Sequence, residues 1–232
     1  MKLGPRMKEY ESVTKSILMN KTPAILRIDG KAFHTWTKGM KLPFDERMVV
    51  LMGHTMKTLV NEIQGAVFAY AQSDEISILL RNYDSVDTES WFGGKIQKMV
   101  SVAASIATAS FNDHIVRCYP TDGFKLAYFD ARISNIPHFE VCNYFIWRQQ
   151  DAIRNSIRSL GHAVLGHKKI QGVNNTSVMN MMKDRGVDWY DLPPHLQRGY
   201  CYQRGQENVD LLIPTFVDIR DYVDIHVCPT IT

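Results

Sequence analysis

Two adjacent carboxylates, Asp74 and Glu75, interrupt the strand-like run FAYAQSDEISILL from Phe68 to Leu80, with only Gln72 and Ser73 as polar neighbours. An alternating apolar segment loses burial when it takes up charge, so the pair needs a reason. A third carboxylate, Asp29, closes another short apolar run, AILRID, and is followed by Gly30. If the two segments lie side by side in one sheet, the three carboxylates converge. Like charges at such range raise one another's pKa unless cations neutralise them, and a pair of Mg²⁺ ions shared with substrate phosphates is the common solution. Two such ions roughly 3.5–4 Å apart activate an attacking oxygen and stabilise a departing pyrophosphate in phosphoryl transfer. Taken singly, each part has a plainer reading: Asp-Gly is a frequent turn dipeptide, and Asp-Glu suits a solvated hairpin tip. Joint placement at adjoining strand ends is what favours chemistry.

Other residues extend the constellation. Gly30, with no side chain, lets the backbone approach a metal or phosphate closely. The stretch after it, Lys31, Ala32, Phe33 and His34, offers consecutive backbone N–H groups and a lysine to a triphosphate. Lys95 and Lys98, with Ser101 one turn on, make a polar stripe on a predicted helix. Solvation is the default for such lysines, and the stripe matters only if it faces the carboxylates. Arg154 and Arg158, four residues apart, share a helix face with Arg148 within reach, an arrangement suited to phosphate or RNA.

These residues need elements to hold them. AILRID reads as a buried strand, and Asp45 to Ile63 as an amphipathic helix with Met48, Val49, Met52, Met56, Leu59, Val60 and Ile63 at three- and four-residue spacings. AVFAYAQ and EISILLR read as two strands joined by a very tight turn. A second helix is expected from Trp91 to Phe111, rich in small residues that permit close packing, and FKLAYFDARI supplies a fourth strand. The order strand, helix, strand, strand, helix, strand is that of a split βαβ, ferredoxin-like α+β sheet. After Pro137 the chain turns helical, with a long helix from His138 to about Leu160 and a shorter one following. Pro193-Pro194 is expected to end that region, and Phe216 to Val227 to form a final strand or two. The division expected is a catalytic region over 1–136 and a helical, C-terminal extension over 137–232, packed as one body.

Composition sets outer bounds. At 232 residues the chain can bury a substantial core. A formal charge of +3 permits an anionic partner such as RNA or a nucleotide without demanding one. The four cysteines, Cys118, Cys142, Cys201 and Cys228, form no C-x-x-C pair, which argues against a zinc site or a disulfide framework and fits a reducing cytoplasm. No apolar run reaches membrane-spanning length, and the charged amino terminus does not read as a signal peptide. GHAVLGHKK resembles a P-loop but lacks the Gly-Lys-Ser/Thr ending.

The stretches LRIDGKAFHTW, AYAQSDEISILL, WFGGKIQKMVSVAAS and WRQQDAIRNSI together resemble the tRNA(His) guanylyltransferase superfamily, and more closely its guanylyltransferase-like branch, in matching order from about Ala24 to Gly199. The resemblance implies nucleotide addition in the 3′-to-5′ direction at the 5′ end of a tRNA, on a polymerase-palm sheet. It implies two Mg²⁺ on Asp29, Asp74, Glu75 and the Gly30 carbonyl, ATP and GTP as substrates, and triphosphate contacts at Lys31 to His34 and at Lys98, with Ser73 and its turn in the same set. It also implies a cytoplasmic homotetramer, a dimer of dimers, so that a tRNA can span subunits. One segment departs from the family pattern. Where the eukaryotic enzymes carry a His-Ile-Asn-x-x-Tyr-Asn motif, this chain has Ile153, Arg154, Asn155, Ser156, Ile157, Arg158 and Ser159, and only the asparagine survives. A downstream family lysine falls on Val178. That loss is typical of the branch resembling template-directed repair enzymes for 5′-truncated tRNA, which is the expected activity. Addition of a single G to tRNA(His), or a palm-type nucleotidyltransferase or cyclase acting on free nucleotides, are the alternatives. A non-enzymatic RNA-binding module fits less well, because such modules expose strand aromatics and AILRID has none.

Overall fold

The computed structural model describes residues 2–215 and 217–227. Cys228 and Phe216, both named above, lie outside them. In chain order the elements are α1 (Leu3–Ser12), β1 (Ala24–Gly30), α2 (Phe33–Trp36), α3 (Glu46–Glu62), β2 (Ala66–Gln72), β3 (Glu75–Leu80), α4 (Ile96–Cys118), β4 (Phe129–Asn135), α5 (Val141–Leu165), α6 (His167–Ile170), α7 (Asn175–Lys183), α8 (Pro194–Arg198), β5 (Tyr200–Gln203) and α9 (Val217–Val227). The sheet runs β4-β1-β3-β2-β5 with every neighbouring pair antiparallel. Its first four strands have the ferredoxin-like order expected from the sequence, and β5 adds an edge beside β2.

Side-chain alternation divides the sheet into two faces. Leu26 and Ile28 of β1 and Ile76 and Ile78 of β3 point to α3 and α4, where Leu51, Met52, Met56 and Leu59 meet Ala103, Ala107 and Phe111 in one buried cluster. The two alanines let α4 approach closely, as its composition foretold. Ile25, Phe68, Tyr70 and Leu79 point the other way, to Val141, Phe145 and Ala152 of α5 and Ile219 and Val223 of α9. The far half of α5 leaves the sheet and makes a third cluster, in which Ile157, Leu160 and Leu165 pack with Val178 and Met182 of α7. Gly161 permits that crossing, since a Cβ there would sit 2.7 Å from Val178 Cγ1.

Three expectations are corrected. Residues 217–227 are helix, not strand: Ile219, Val223 and Val227, four apart, are buried on one side of α9, and this tertiary contact outweighs their β-branched character. Pro194 opens α8 rather than ending the helical region, a position where a proline costs no hydrogen bond. The expected helix from Trp91 is interrupted at Phe92 and Gly93, whose φ angles are 51° and 61°, and α4 begins at Ile96.

Candidate active site

The face of the sheet turned to α5 changes character along its length. Ile25 pairs with Leu79 at the apolar end. Two and four residues on, Arg27 sits between Ser77 and Arg132, and Asp29 between Glu75 and Asp130, so the same face becomes charged as it nears the β2–β3 turn. That turn is Ser73 and Asp74. Ser73 adopts a left-handed φ of 49°, and its Oγ donates to Asp74 Oδ1 at 3.1 Å. The Gly30 N–H donates to the Asp74 carbonyl at 3.1 Å, tying the turn to the end of β1. Asp29, Asp74 and Glu75 are thus brought to one end of the sheet, as their spacing suggested.

Their electrostatic situations differ. Glu75, 6% exposed, faces two guanidinium groups: Arg27 at 2.6 Å and Arg148 at 2.8 and 3.1 Å. Burial pushes its carboxyl up while Arg148 and Arg27 pull it down. Asp29 has weaker contacts, 3.5 Å to Arg27 and 3.4 Å to Arg132. Asp74 has no ion-pair partner among the described residues, and burial, with Asp29 adding to it, raises its carboxyl above the ordinary aspartate value. Of the three expected carboxylate ligands, Glu75 is thus held by two close arginines, Asp29 by two longer contacts, and Asp74 by no ion pair among the described residues. Among the described residues no group of three or more metal-ligating side chains is arranged to hold an ion. Asp29 and Asp74 are the carboxylates left without a close ion pair, whereas Arg27 and Arg148 occupy Glu75, the third expected ligand.

These groups open into a cavity of about 780 Å³, within the range of small-molecule sites. Its floor is Arg27, Asp29, Gly30 and the turn. Ala32, Phe33, His34 and the loop Met40–Asp45 form one wall, and α5 forms the other through Arg148, Asp151, Asn155, Arg158 and His162. The loop is anchored by Asp45, the N-cap of α3, which accepts from the Lys41 and Arg47 N–H groups at 3.0 Å. The Arg47 side chain holds the Asp45 carboxyl well below the usual carboxylate range.

Several expected contacts fall elsewhere. The Lys31 N–H is committed to the Tyr128 carbonyl at 2.8 Å, and its side chain does not line the cavity. Gly30 is small for a packing reason, because a Cβ would lie 2.4 Å from the ring of Phe33, itself 4% exposed in an aromatic cluster. Lys95, Lys98 and Ser101 are exposed and lie outside the cavity lining. Thr108 and Asn112 of α4 bond Phe129 and Ala127 near the Gly30 end, whereas Lys95 bridges Ile17, and Met99 lines a small cavity with Ala24 and Leu80. At about 1.5 Å per residue, Lys98 is some 15 Å from Thr108 along α4, toward the opposite end of the sheet. Within one chain, then, this stripe does not face the carboxylates. Arg148 is 3% exposed and bonded to Glu75 and Asp151, so it is a buried partner of the site rather than an RNA contact. Arg158 is half-buried and donates to the Ile170 and Val173 carbonyls, while Arg154 and Asn155 are exposed and bonded to Asp151, Asn155 alone of the two lining the cavity.

Arg27, Lys41 and His162 were not expected. Period-two alternation from Asp29 would have found Arg27. No local pattern marks Lys41 or His162, which reach the cavity through a loop and through the placement of α5.

A cavity of nucleotide size, lined by carboxylates and arginines at one end of a ferredoxin-like sheet, is the site of an α+β fold. The family model described as "Thg1: tRNAHis guanylyltransferase" matches residues 4–137. The chain belongs to this family of nucleotidyltransferases. It is 31% identical over 154 residues to the tRNA(His) guanylyltransferase of Schizosaccharomyces pombe, covering 65% of this chain and 56% of that one. The chain thus spans little more than half of that relative's length. A solved bacterial tRNA(His) guanylyltransferase (Thg1)-like protein in complex with ATP superposes with a TM-score of 0.93 at 43% identity, covering 97% of this chain and 99% of the other. A second, in complex with GTP, gives a TM-score of 0.82 at 40% identity with the same coverage.

Proposed function

We propose that the chain adds a guanylate to the 5′ end of tRNA(His), using GTP as the incoming nucleotide and ATP or GTP to activate the acceptor. One observation carries this reading: Asp74, without an ion-pair partner among the described residues, stands beside Asp29 on the floor of a cavity of about 780 Å³. A triphosphate with its Mg²⁺ supplies the missing charge and has a suitable size. Asp29 and Asp74, with the Gly30 carbonyl, would hold the ion, which when bound stabilises charge on the reacting phosphates. Arg148 fixes Glu75 through two contacts from α5. His34 and Lys41 on the facing wall are positioned for the nucleotide, and the exposed Arg154 and Asn155 for RNA backbone. The guanylyltransferase names of the relatives, and the ATP and GTP of the solved bacterial proteins, support this reading better than repair.

Template-directed repair is the second reading, favoured by the segment Ile153 to Ser159, which lacks the histidine and tyrosine of the eukaryotic motif. Watson–Crick pairing would then supply specificity, and the protein would need only backbone contacts. The two separate in one assay that compares full-length tRNA(His) with 5′-truncated tRNAs carrying each of the four bases opposite the missing position. Guanylyl transfer gives G addition whatever base lies opposite, with no advantage for truncated substrates. Addition that follows the opposite base, with truncated tRNA preferred, would replace this reading with repair.

A further inference from the structure

Arg27 occupies an unusual place in the site. A single nitrogen, Nη2, lies 2.6 Å from Glu75 Oε2 and 3.5 Å from Asp29 Oδ2, so one atom bridges two carboxylates. Neither carboxylate depends on it alone. Glu75 also has Arg148, at 2.8 Å, and Asp29 also has Arg132, at 3.4 Å. The Arg27 guanidinium is therefore shared between the two carboxylates rather than dedicated to either. Its side chain is 22% exposed and borders the cavity, so it has somewhere to go.

We propose that Arg27 is a built-in counter-ion whose guanidinium competes with a divalent cation for Asp29, so that cation entry and release of Asp29 by Arg27 are one exchange. The inference rests on the reading that Asp29 and Asp74 hold the cation. Arg27 gives Asp29 and Glu75 a shared counter-charge from within β1. Binding an ion then costs the Arg27–Asp29 contact, which lowers affinity for free metal. Arg27 is a positioning residue in this account, and its effect is read in metal affinity rather than in turnover.

Direct Mn²⁺ titration by electron paramagnetic resonance, on the full chain without nucleotide, tests this. Arg27→Met is expected to tighten Mn²⁺ binding by about tenfold, since removing a competing charge from a partly buried cluster changes affinity on that scale. Arg27→Lys, which keeps the charge, should bind as wild type does. Asp29→Asn should weaken binding in every background. Thermal melts verify folding, and Arg148 leaves Glu75 paired in each Arg27 variant. Unchanged or weaker binding in Arg27→Met, or equal tightening in Arg27→Lys, overturns the counter-ion role while the Asp29 effect leaves the cation site standing. Wild-type binding in both Asp29→Asn and Asp74→Asn would remove the cation site itself, and this inference with it.

Discussion

Asp74 carries a charge that the fold does little to neutralise, and this makes one contribution to how stability depends on pH. Because burial and Asp29 raise its carboxyl, the folded state takes up this proton more readily than the unfolded chain does. Its contribution to stability is therefore full at low pH and declines as pH rises through the raised value. Asp74→Asn should flatten that dependence and leave the protein at least as stable as wild type at neutral pH. Urea unfolding across the acidic range measures it, and a variant less stable than wild type at neutral pH would show that the charge is welcome. Arg148 behaves in the opposite way. Replacing it by Met leaves Glu75 to Arg27 and Asp151 to Arg154, and loss of the buried partner is expected to cost about 3 kcal/mol. A loss under about 1 kcal/mol would contradict a buried structural pair and match an exposed one.

Elements explain what was legible in the sequence. The two strands flanking Ser73-Asp74 and the helix Glu46–Glu62 have clear periods and flank chemistry, so the carboxylate end of the sheet could be read directly. Residues 217–227 were misread because β-branched residues masked a four-residue spacing that acquires meaning only against α5. Tyr200–Gln203 is too short for any period. Arg148 was placed on RNA because spacing along α5 says which residues share a face, but not whether that face is buried. That depends on where α5 crosses the sheet. The crossing of α5 and α7 rests on Gly161, and Gly161→Ala should destabilise by about 1–3 kcal/mol from overpacking against Val178, with helix propensity offsetting less than 1 kcal/mol. In the Val178→Ala background the same change should be nearly neutral in urea unfolding. An equal cost in both backgrounds would contradict the contact.

At the scale of the whole molecule, two layers meet at one end of a sheet: β1 and the β2–β3 turn supply acid, α5 supplies base, and the loop anchored by Asp45 closes the third side. The central claim is that this end transfers a nucleotide to RNA. Its most direct test follows label from α-labelled GTP into tRNA(His) in the presence of Mg²⁺ and ATP, comparing wild type with Asp29→Asn and Asp74→Asn, alongside a reaction with nucleotides alone. The account predicts label in the tRNA with wild type, a loss of at least about a hundredfold with either variant while both stay folded, and no product without tRNA. Near-normal labelling by either variant, or a labelled product formed from nucleotides alone, would contradict it.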